Sequence, residues 1–250
     1  MKTILKSLVR SVHSLLASTD ADHAAYRSQA GQDRYVLNQI YKKSLRGGFF
    51  LEMGAADGVL LSNTHVFEKN YSWKGILVEP SHRYAELVKN RSATCVRACI
   101  GDSSKGIYLL EIPGGMYLHA DKQNTLRSVS VPADSREEAL SMVPEILIRE
   151  EIDPARAAEF PLVEVDVLSL TELLEKHHAP PVIDYFSLDV EGHEDAVFRG
   201  FDFSRHRFNV MNVERPSEWL QKLLAENGYR EIERNDVGDV FYLHKAFQRP

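Results

Sequence analysis

The sequence predicts an α/β fold with a mostly parallel, doubly wound sheet that helices cover on both faces. Short apolar segments alternate with amphipathic segments from about residue 30 onward. Most of the apolar segments are continuous, which is typical of strands buried on both faces. The last two lie close together and are joined by a turn-forming segment, so they indicate one antiparallel pair beside the parallel strands.

The composition is that of an ordinary globular protein, and it excludes several classes. The chain has 250 residues, of which 44% are hydrophobic and 26% charged. A chain of this size and composition buries a hydrophobic core large enough to be stable without a structural metal or a disulfide. A formal net charge of -6 supplies no basic footprint for nucleic acid. No apolar run reaches the roughly 18 residues that a membrane span needs.

The two cysteines, Cys95 and Cys99, fall in one predicted strand. On one face of that strand they would lie about 13 Å apart, at roughly 3.3 Å per residue. A disulfide needs Cα atoms within about 7 Å of each other. We therefore expect two reduced thiols and a cytoplasmic protein.

In the first half of the chain, each predicted strand ends at a glycine or proline. Apolar runs predict strands over 49–53, 73–79, 94–100 and 107–112, followed by Gly54, Pro80, Gly101 and Pro113. Helices are predicted over 32–41, 62–68 and the segment after Ser81, with hydroxyl and amide side chains at the last two N-termini.

In the second half, the same alternation continues after an interruption. Strands are predicted over 162–167, 183–189, 208–214, 229–234 and 240–244. Helices are predicted over 135–151, over 169–176, from just after His193 to Arg199, and over 217–227. Gly228 follows the last of these helices and suits its C-terminal cap.

The predicted organisation is an N-terminal extension (1–27) and one domain (28–250) that carries an insertion at 114–160. That insertion is long for a loop, and long loops in compact domains tend to be lids or binding segments. Residues 1–18 read as a basic amphipathic helix. We expect it to pack on the body or on a second subunit of a homodimer, and the alternative is weak contact with a membrane surface.

Acidic residues follow most of the predicted parallel strands. In open α/β sheets, ligands bind beyond the carboxyl ends of the strands. We therefore expect a site there that holds a cationic or donor-rich ligand. These acidic residues are Glu52 and Asp57, Glu79, Asp102, Asp189 and Glu191, and Glu214.

The first strand ends in a glycine loop that lets backbone approach a ligand closely, through Gly54 and Gly58. It is not the dinucleotide fingerprint, because Ala56 and Val59 replace the glycines needed, and it lacks the lysine of a P-loop. Glu79 ends the next strand, where a carboxylate can accept hydrogen bonds from both ribose hydroxyls. The alternative is that Glu79 caps the helix at Ser81.

Three blocks together resemble the FkbM-type S-adenosylmethionine-dependent methyltransferases in order and spacing. They are FFLEMGAADG (49–58), GILVEP (75–80) and YFSLDVEGHE (185–194), with an upstream SQAGQD block (28–33). The resemblance covers about residues 28–245 and is poorest over 114–160. It implies a Rossmann-like, seven-stranded sheet with an antiparallel final hairpin, S-adenosylmethionine as methyl donor, and a hydroxyl acceptor on a sugar, glycan or other small molecule.

The resemblance also implies roles for individual residues. The cofactor-binding residues implied are Glu52, Gly54, Ala55, Asp57 and Gly58 around the methionine part, Glu79 and Pro80 at the ribose, Asp102 near the adenine, and Asp189 near the methyl group. Many methyltransferases have a further glycine where this chain has Ala56.

Methyl transfer to an alcohol needs a base. The candidates are Asp189, Glu191, His193, Glu194 and Glu214, and we predict that the catalytic residues are among Asp189, Glu191 and His193. The alternatives are that Asp189 caps the helix after Gly192 and that His193 only packs in its first turn. We predict no metal, although Asp189, His193 and Glu214 are the set that would bind a divalent ion.

Substrate contacts are expected from Glu214 and, within the insertion, from Tyr117 and His119. Gln29, Gln32 and Asp33 either cap the first helix or reach the cofactor. Two rival functions remain at this point: a nicotinamide-dependent oxidoreductase, which would bind NAD, and a catalytically silent partner-binding domain, which would bind no nucleotide.

Overall fold

The computed structural model describes residues 25–101, 106–112 and 127–249. Its strands are β1 Phe49–Met53, β2 Lys74–Val78, β3 Thr94–Val96, β4 Cys99–Ile100, β5 Gly106–Ile112, β6 Arg127–Ala133, β7 Leu162–Val165, β8 Val167–Leu168, β9 Val182–Leu188, β10 Arg207–Val213, β11 Tyr229–Arg234 and β12 Val240–His244. Its α-helices are α1 Gln32–Tyr35, α2 His65–Tyr71, α3 Tyr84–Asn90, α4 Arg136–Arg149, α5 Leu170–Lys176, α6 Glu194–Phe198 and α7 Glu218–Glu226. A π-helix over Val36–Ile40 continues α1, and a 3-10 helix spans Pro154–Glu159.

The main sheet has seven strands in the order β11-β12-β10-β9-β1-β2-β3. The five strands from β10 to β3 are parallel to their neighbours, whereas β12 runs antiparallel to both β10 and β11. This confirms the predicted fold class, including the antiparallel hairpin at the end of the chain. The strand order reverses between β1 and β9, which is where open α/β sheets bind ligands.

Both faces of this sheet are buried, as the continuous apolar strands predicted. Leu51 and Met53 of β1 pack on one side, in a cluster that includes α5, α6 and α7. Phe50 points the other way, into a cluster with α1, α2 and α3. Because successive side chains of a strand face opposite sides, both clusters draw on the same strand, and the sheet is doubly wound.

Two of the predicted strands are each divided into two shorter strands in the structure, so the predictions of single strands were wrong. The predicted strand 94–100 breaks after Val96, and the predicted strand 162–167 breaks at Asp166. In each case the chain changes partners: β3 pairs with β2, but β4 leaves the main sheet and pairs with β8. Cys95 and Cys99 therefore belong to different sheets and not to one strand face, and both are free.

A small antiparallel sheet, which the sequence did not predict, stands beside the main one. Its strand order is β6-β5-β7, and its apolar face is covered by α4. Strand β6 and helix α4 come from the segment 114–160, so the described part of that insertion forms a packed unit with its own core. Only the helix within it was expected, at 135–151.

Several helices begin at the hydroxyl residues that cap them. The Ser135, Ser169 and Ser217 side chains each accept a hydrogen bond from a backbone N–H in the first turn. No helix within the described ranges is long and apolar enough to cross a membrane. The predicted helix at residues 1–18 lies outside those ranges.

The small sheet and α4 provide a test of this packing. Leu147 is fully buried in their core, whereas its neighbour Ile148 is 61% exposed. We expect Leu147→Ala to lower the free energy of unfolding by about 2–5 kcal/mol, because it leaves a cavity. Ile148→Ala should change it by less than about 0.5 kcal/mol. Urea denaturation measures both, and equal effects would contradict this packing.

Candidate active site

A cavity of about 460 Å³ opens at the carboxyl ends of the parallel strands, within the described part of the chain. Sites for small molecules and cofactors occupy about 300–1,000 Å³. The lining comes from the turns after β1, β2, β9 and β10, from β4, and from β5 and β6 of the small sheet. The cavity thus spans the point where the strand order reverses.

The turn after β1 lies directly against the turn after β9. A Cβ at Gly54 would stand 1.9 Å from the backbone oxygen of Asp189, so no other residue fits there. Gly54 also has a φ of 79°, in the left-handed region that glycine tolerates best. The N–H groups of Gly54 and Ala55 both donate to the Val78 carbonyl, 3.1 Å away, which ties the turn to β2.

Non-glycine residues with left-handed backbone are concentrated around this cavity. Such conformations cost energy and are found most often at functional sites. Four of those in the described ranges line it: Ala56 (φ 48°), Leu61 (φ 59°), Glu191 (φ 56°) and Arg215 (φ 37°). Ala56 therefore adopts, within the glycine turn, a backbone conformation that glycine tolerates best.

Glu79 is buried and holds the glycine turn in place. One carboxylate oxygen accepts the Ala56 N–H at 2.8 Å, and the other accepts the Ser81 N–H at 2.9 Å. Glu79 therefore holds the backbone at Ser81, but it does not cap the following helix as the alternative expected, because α3 begins at Tyr84 and has no side-chain cap. Pro80 borders the cavity directly. Each carboxylate oxygen can accept a second hydrogen bond, so the predicted ribose contact stays open as a prediction.

Glu52 sits in a buried cluster behind the turn. Its carboxylate accepts hydrogen bonds from the Ser62 hydroxyl (3.0 Å), the Asn63 N–H (2.7 Å) and the Thr64 hydroxyl (2.5 Å). The fully buried Arg91 guanidinium lies 3.8 Å away. Burial raises the pKa of Glu52, and the Arg91 charge opposes that rise.

Arg91 connects this cluster to the rest of the turn. Its guanidinium donates to Glu68 (2.7 Å), to the Gly58 carbonyl (2.9 Å) and to the Ser62 and Thr64 hydroxyls. A Cβ at Gly58 would lie 2.6 Å from the Arg91 side chain. Gly58 thus permits packing against Arg91.

Two other predicted cofactor residues serve the turn internally. Ala55 is buried in the core beneath the sheet. The Asp57 carboxylate accepts the N–H groups of Val59 and Leu60, at 2.9 and 2.8 Å. Neither residue borders the cavity, nor does Gly58, whereas Glu52 and Gly54 do.

Asp189 and Glu214 form a carboxyl pair at the cavity wall. Burial, the Glu214 charge and a hydrogen bond between the two carboxyl groups raise the pKa of Asp189 well above its usual range, with further repulsion from Glu191. Glu214 is also 3.1 Å from the Arg215 guanidinium. All four residues line the cavity.

His193 also lines the cavity, at the N-cap position of α6. Burial lowers the pKa of its imidazole, so the ring is neutral at pH 7. The loop before it is held by Glu194, whose carboxylate accepts the N–H groups of Val190 and Gly192 at 3.2 Å. Glu194, rather than Asp189, therefore takes the loop-capping role, and Asp189 faces the cavity.

The N-terminal block divides between two roles. The Asp33 carboxylate accepts the N–H groups of Arg27 and Ser28, at 2.8 and 3.2 Å, and so fixes the backbone before α1. Gln29 and Gln32 line the cavity, and Gln32 donates to Asp239 at 2.5 Å. The sequence had left both roles open.

Several lining residues were not predicted, among them Asn63, Ser187, Ser128, Ser130 and Arg215. The first had been interpreted only as part of a helix cap, and Ser128 and Ser130 lie on the unpredicted strand β6. Asp102, Tyr117 and His119 fall outside the described residues.

Across the ranges that the structure describes, no three acidic, histidine or cysteine side chains are arranged to hold a metal, so Asp189, His193 and Glu214 do not form such a group.

Comparison with known proteins decides the family. The sequence profile described as Methyltransferase FkbM domain matches residues 52–231, which include the glycine turn, Glu79, Asp189 and Glu214. The chain belongs to the FkbM methyltransferase family. The resemblance in the sequence motifs is thereby confirmed, and membership of this family favours a methyltransferase over a nicotinamide-dependent oxidoreductase.

No sequence among the curated proteins matches the chain. Among solved structures, it is similar to a crystal structure of a fibrillarin/Nop5p complex. The two share 11% sequence identity over 85% of this chain and 82% of that chain, with a TM-score of 0.34.

Two glycines of this FkbM domain give a matched test of the close approach between turns. Gly54→Ala should destabilise the domain by more than about 4 kcal/mol, because the new methyl overlaps the Asp189 carbonyl. Gly192 has a φ of 93° and nothing within 4 Å of an added Cβ. Gly192→Ala should therefore cost only about 1–2 kcal/mol of backbone strain. Urea denaturation compares them, and similar costs would contradict the observed contact.

Proposed function

We propose that this FkbM-family methyltransferase moves a methyl group from S-adenosylmethionine to a hydroxyl of a sugar, a glycan or another small molecule. The observation that carries the proposal is the cavity at the strand-order reversal, with the Gly54 turn on one side and the Asp189–Glu214 carboxyl pair on the other. Family membership supports methyl transfer. The donor and the acceptor class are our inference.

The residues around the cavity fit the chemistry of this donor. On the β2–β3 side, Pro80, Ala98, Ile100 and Leu109 offer apolar surface suited to a purine base. On the β9–β10 side, acidic side chains suit a positively charged sulfur. Glu79 does not line the cavity, whereas its neighbours Val78 and Pro80 do. We assign it to the ribose hydroxyls, through lone pairs that the backbone amides leave unused.

When bound, S-adenosylmethionine supplies a methyl group activated by the positive sulfur. The chain must orient the acceptor oxygen in line with it and take the hydroxyl proton. We assign His193 as the base that takes the hydroxyl proton. Burial lowers the pKa of its imidazole and leaves a lone pair available at neutral pH. Asp189 and Glu214 orient the acceptor, and Glu191 lies at the exposed rim.

The acceptor is expected to be rich in hydroxyl groups. Gln29, Gln32, Ser128 and Ser130 add uncharged hydrogen-bonding groups to the acidic ones. Such groups suit a sugar ring better than an apolar substrate, since a buried polar group without a partner is costly. We also keep two further parts of the proposal. Tyr117 and His119 contact the acceptor, and the 114–160 segment closes over it.

Calorimetric titration tests the choice of donor. The chain should bind S-adenosylhomocysteine, the product form of the donor, with no measurable affinity for NAD. Radiolabelled methyl transfer to a panel of sugars, non-sugar alcohols and amines then tests the acceptor class. Binding of NAD in place of S-adenosylhomocysteine would contradict the proposal, as would methyl transfer confined to amine acceptors.

Asp189→Asn should separate activity from stability. Because Asp189 orients the acceptor while His193 takes the proton, replacing Asp189 should lower kcat by about a hundredfold through misalignment of the acceptor oxygen. It should also stabilise the fold by about 0.5–2 kcal/mol near pH 8, because it removes repulsion with Glu214 and Glu191.

The pH dependence of stability follows from the same carboxyl. The folded pKa of Asp189 is raised, so the folded state holds a proton that the unfolded state has already lost. The free energy of unfolding therefore falls as the pH rises from about 4 through the folded pKa. Urea denaturation across pH should show less of this fall in Asp189→Asn than in the unaltered chain. Glu226→Gln, at an exposed position, is the control and should retain it; an unchanged pH profile in Asp189→Asn would contradict the assignment.

A further inference from the structure

Arg215 stands at the cavity wall in a backbone conformation that its sequence context disfavours. It lies two residues after the end of β10, lines the cavity and has a φ of 37°. Left-handed backbone is costly for a residue with a Cβ. The next residue is Pro216, and a residue before proline favours extended backbone. Strain of this kind persists where the surroundings hold it in place, most often at functional sites.

A glycine on another element makes room for the Arg215 side chain. Gly238 lies in the turn between β11 and β12, and a Cβ there would stand 3.0 Å from Arg215 Cγ. The aliphatic part of the arginine therefore lies against this hairpin turn. Strained backbone after β10 and a glycine in the hairpin together determine where the guanidinium stands.

The guanidinium of Arg215 is accessible and has most of its donors unused. Its Nη2 lies 3.1 Å from Glu214 Oε1, and the Arg215 side chain is 61% exposed. It forms no second ion pair or hydrogen bond with any residue that the structure describes. A guanidinium carries five N–H donors in a fixed fork, so one contact through one nitrogen leaves most of them for a ligand.

The ion pair with Glu214 does not explain this arrangement. An ion pair with one member so exposed contributes little to stability, whereas left-handed backbone before a proline is costly. An arginine that only offset the Glu214 charge would need neither the strain nor the glycine in the hairpin. The arrangement is explained by a task that uses the remaining N–H donors at the cavity.

Arg215 lies on the side of the cavity that we assign to the acceptor. Of the lining residues within the described ranges, Arg83 and Arg215 carry a permanent positive charge, and they follow β2 and β10. The β2 side is assigned to the base of the donor, whereas β10 leads to Glu214. The raised pKa of Asp189 reduces the negative charge of its pair with Glu214. An acceptor group that binds the Arg215 fork is therefore expected to be an anion with several oxygens, such as a carboxylate or a phosphate.

We propose that Arg215 selects acceptors that carry a carboxylate or a phosphate close to the hydroxyl that is methylated. This inference rests on the proposed function and adds a specificity-determining residue to it. The guanidinium donates to the anion with N–H groups that Glu214 does not use. The backbone and the hairpin turn fix the arginine before the acceptor arrives, so binding costs less side-chain ordering.

Acceptors that differ in one group test this selection. The probes are methyl glycosides of glucose, galactose and mannose, each as the neutral sugar, the uronic acid and the 6-phosphate. In the unaltered chain, kcat/KM for the carboxylate or the phosphate form should exceed that for the neutral form by roughly tenfold to a hundredfold, the effect of a hydrogen bond to a charged group. Which anion is preferred distinguishes the two. In Arg215→Gln the ratio should fall to within about threefold of unity. Because the ratio compares two acceptors on one variant, a general loss of activity through Glu214 cancels.

A control and a second variant complete the test. Arg234→Gln removes an arginine of β11 that forms an exposed ion pair with Glu231 at 3.0 Å and does not line the cavity, so it should keep the ratio. Arg215→Gly should also lose the ratio, and it should fold even if Arg215→Gln does not, because glycine adopts a φ of 37° without strain. Calorimetric titration should show S-adenosylhomocysteine binding within about threefold of the unaltered chain in both Arg215 variants, so that the donor site is intact.

The outcomes separate this inference from the proposed function. A ratio near one in the unaltered chain, methyl transfer confined to uncharged acceptors, or a ratio that the Arg215 variants retain would overturn the Arg215 assignment alone. Failure of the unaltered chain to bind S-adenosylhomocysteine, or to methylate any hydroxyl in the panel, would instead overturn the proposed function, and the assignment with it.

Discussion

The geometry of the site depends on how closely the turn after β1 approaches the turn after β9. Parallel strands on either side of the order reversal diverge in their connections, and this leaves a crevice beyond their ends. Gly54 lets the two turns meet, since a side chain there would occupy the Asp189 carbonyl. The contact sets the position of Asp189 relative to the glycine turn, and with it the wall of the cavity.

The acidic residues at the strand ends divide into two groups with different tasks. Glu52, Glu79 and Glu194 accept backbone N–H groups and hold the loops in shape. Asp189 and Glu214 instead pair with each other at the cavity wall, which raises the pKa of Asp189. Carboxylates that are satisfied by backbone stabilise the fold, whereas a buried carboxyl whose pKa is raised by burial and by a neighbouring acid is typical of functional sites.

The sequence was sufficient for the fold class and for the edge of the sheet where the cavity lies, because apolar periodicity and strand-end glycines are local signals. It was not sufficient for β6, because the short serine–valine alternation within Arg127–Ala133 contains a proline, which favours a loop over a strand. It also could not separate Asp57 and Gly58, which serve the turn, from Gly54, which borders the cavity. The hydrogen bond between Asn63 and Ser187 joins residues far apart in sequence, so no local pattern could have revealed that they meet at the cavity.

The central claim is that the ends of β1, β2, β9 and β10 form one site for an adenosine-bearing methyl donor. A crystal structure of the chain with S-adenosylhomocysteine tests this most directly. We expect the base near Pro80 and Ile100, the ribose at Glu79 and the amino-acid end of the ligand at the Gly54 turn. Ligand density in the opposite orientation, or outside this cavity, would contradict the account.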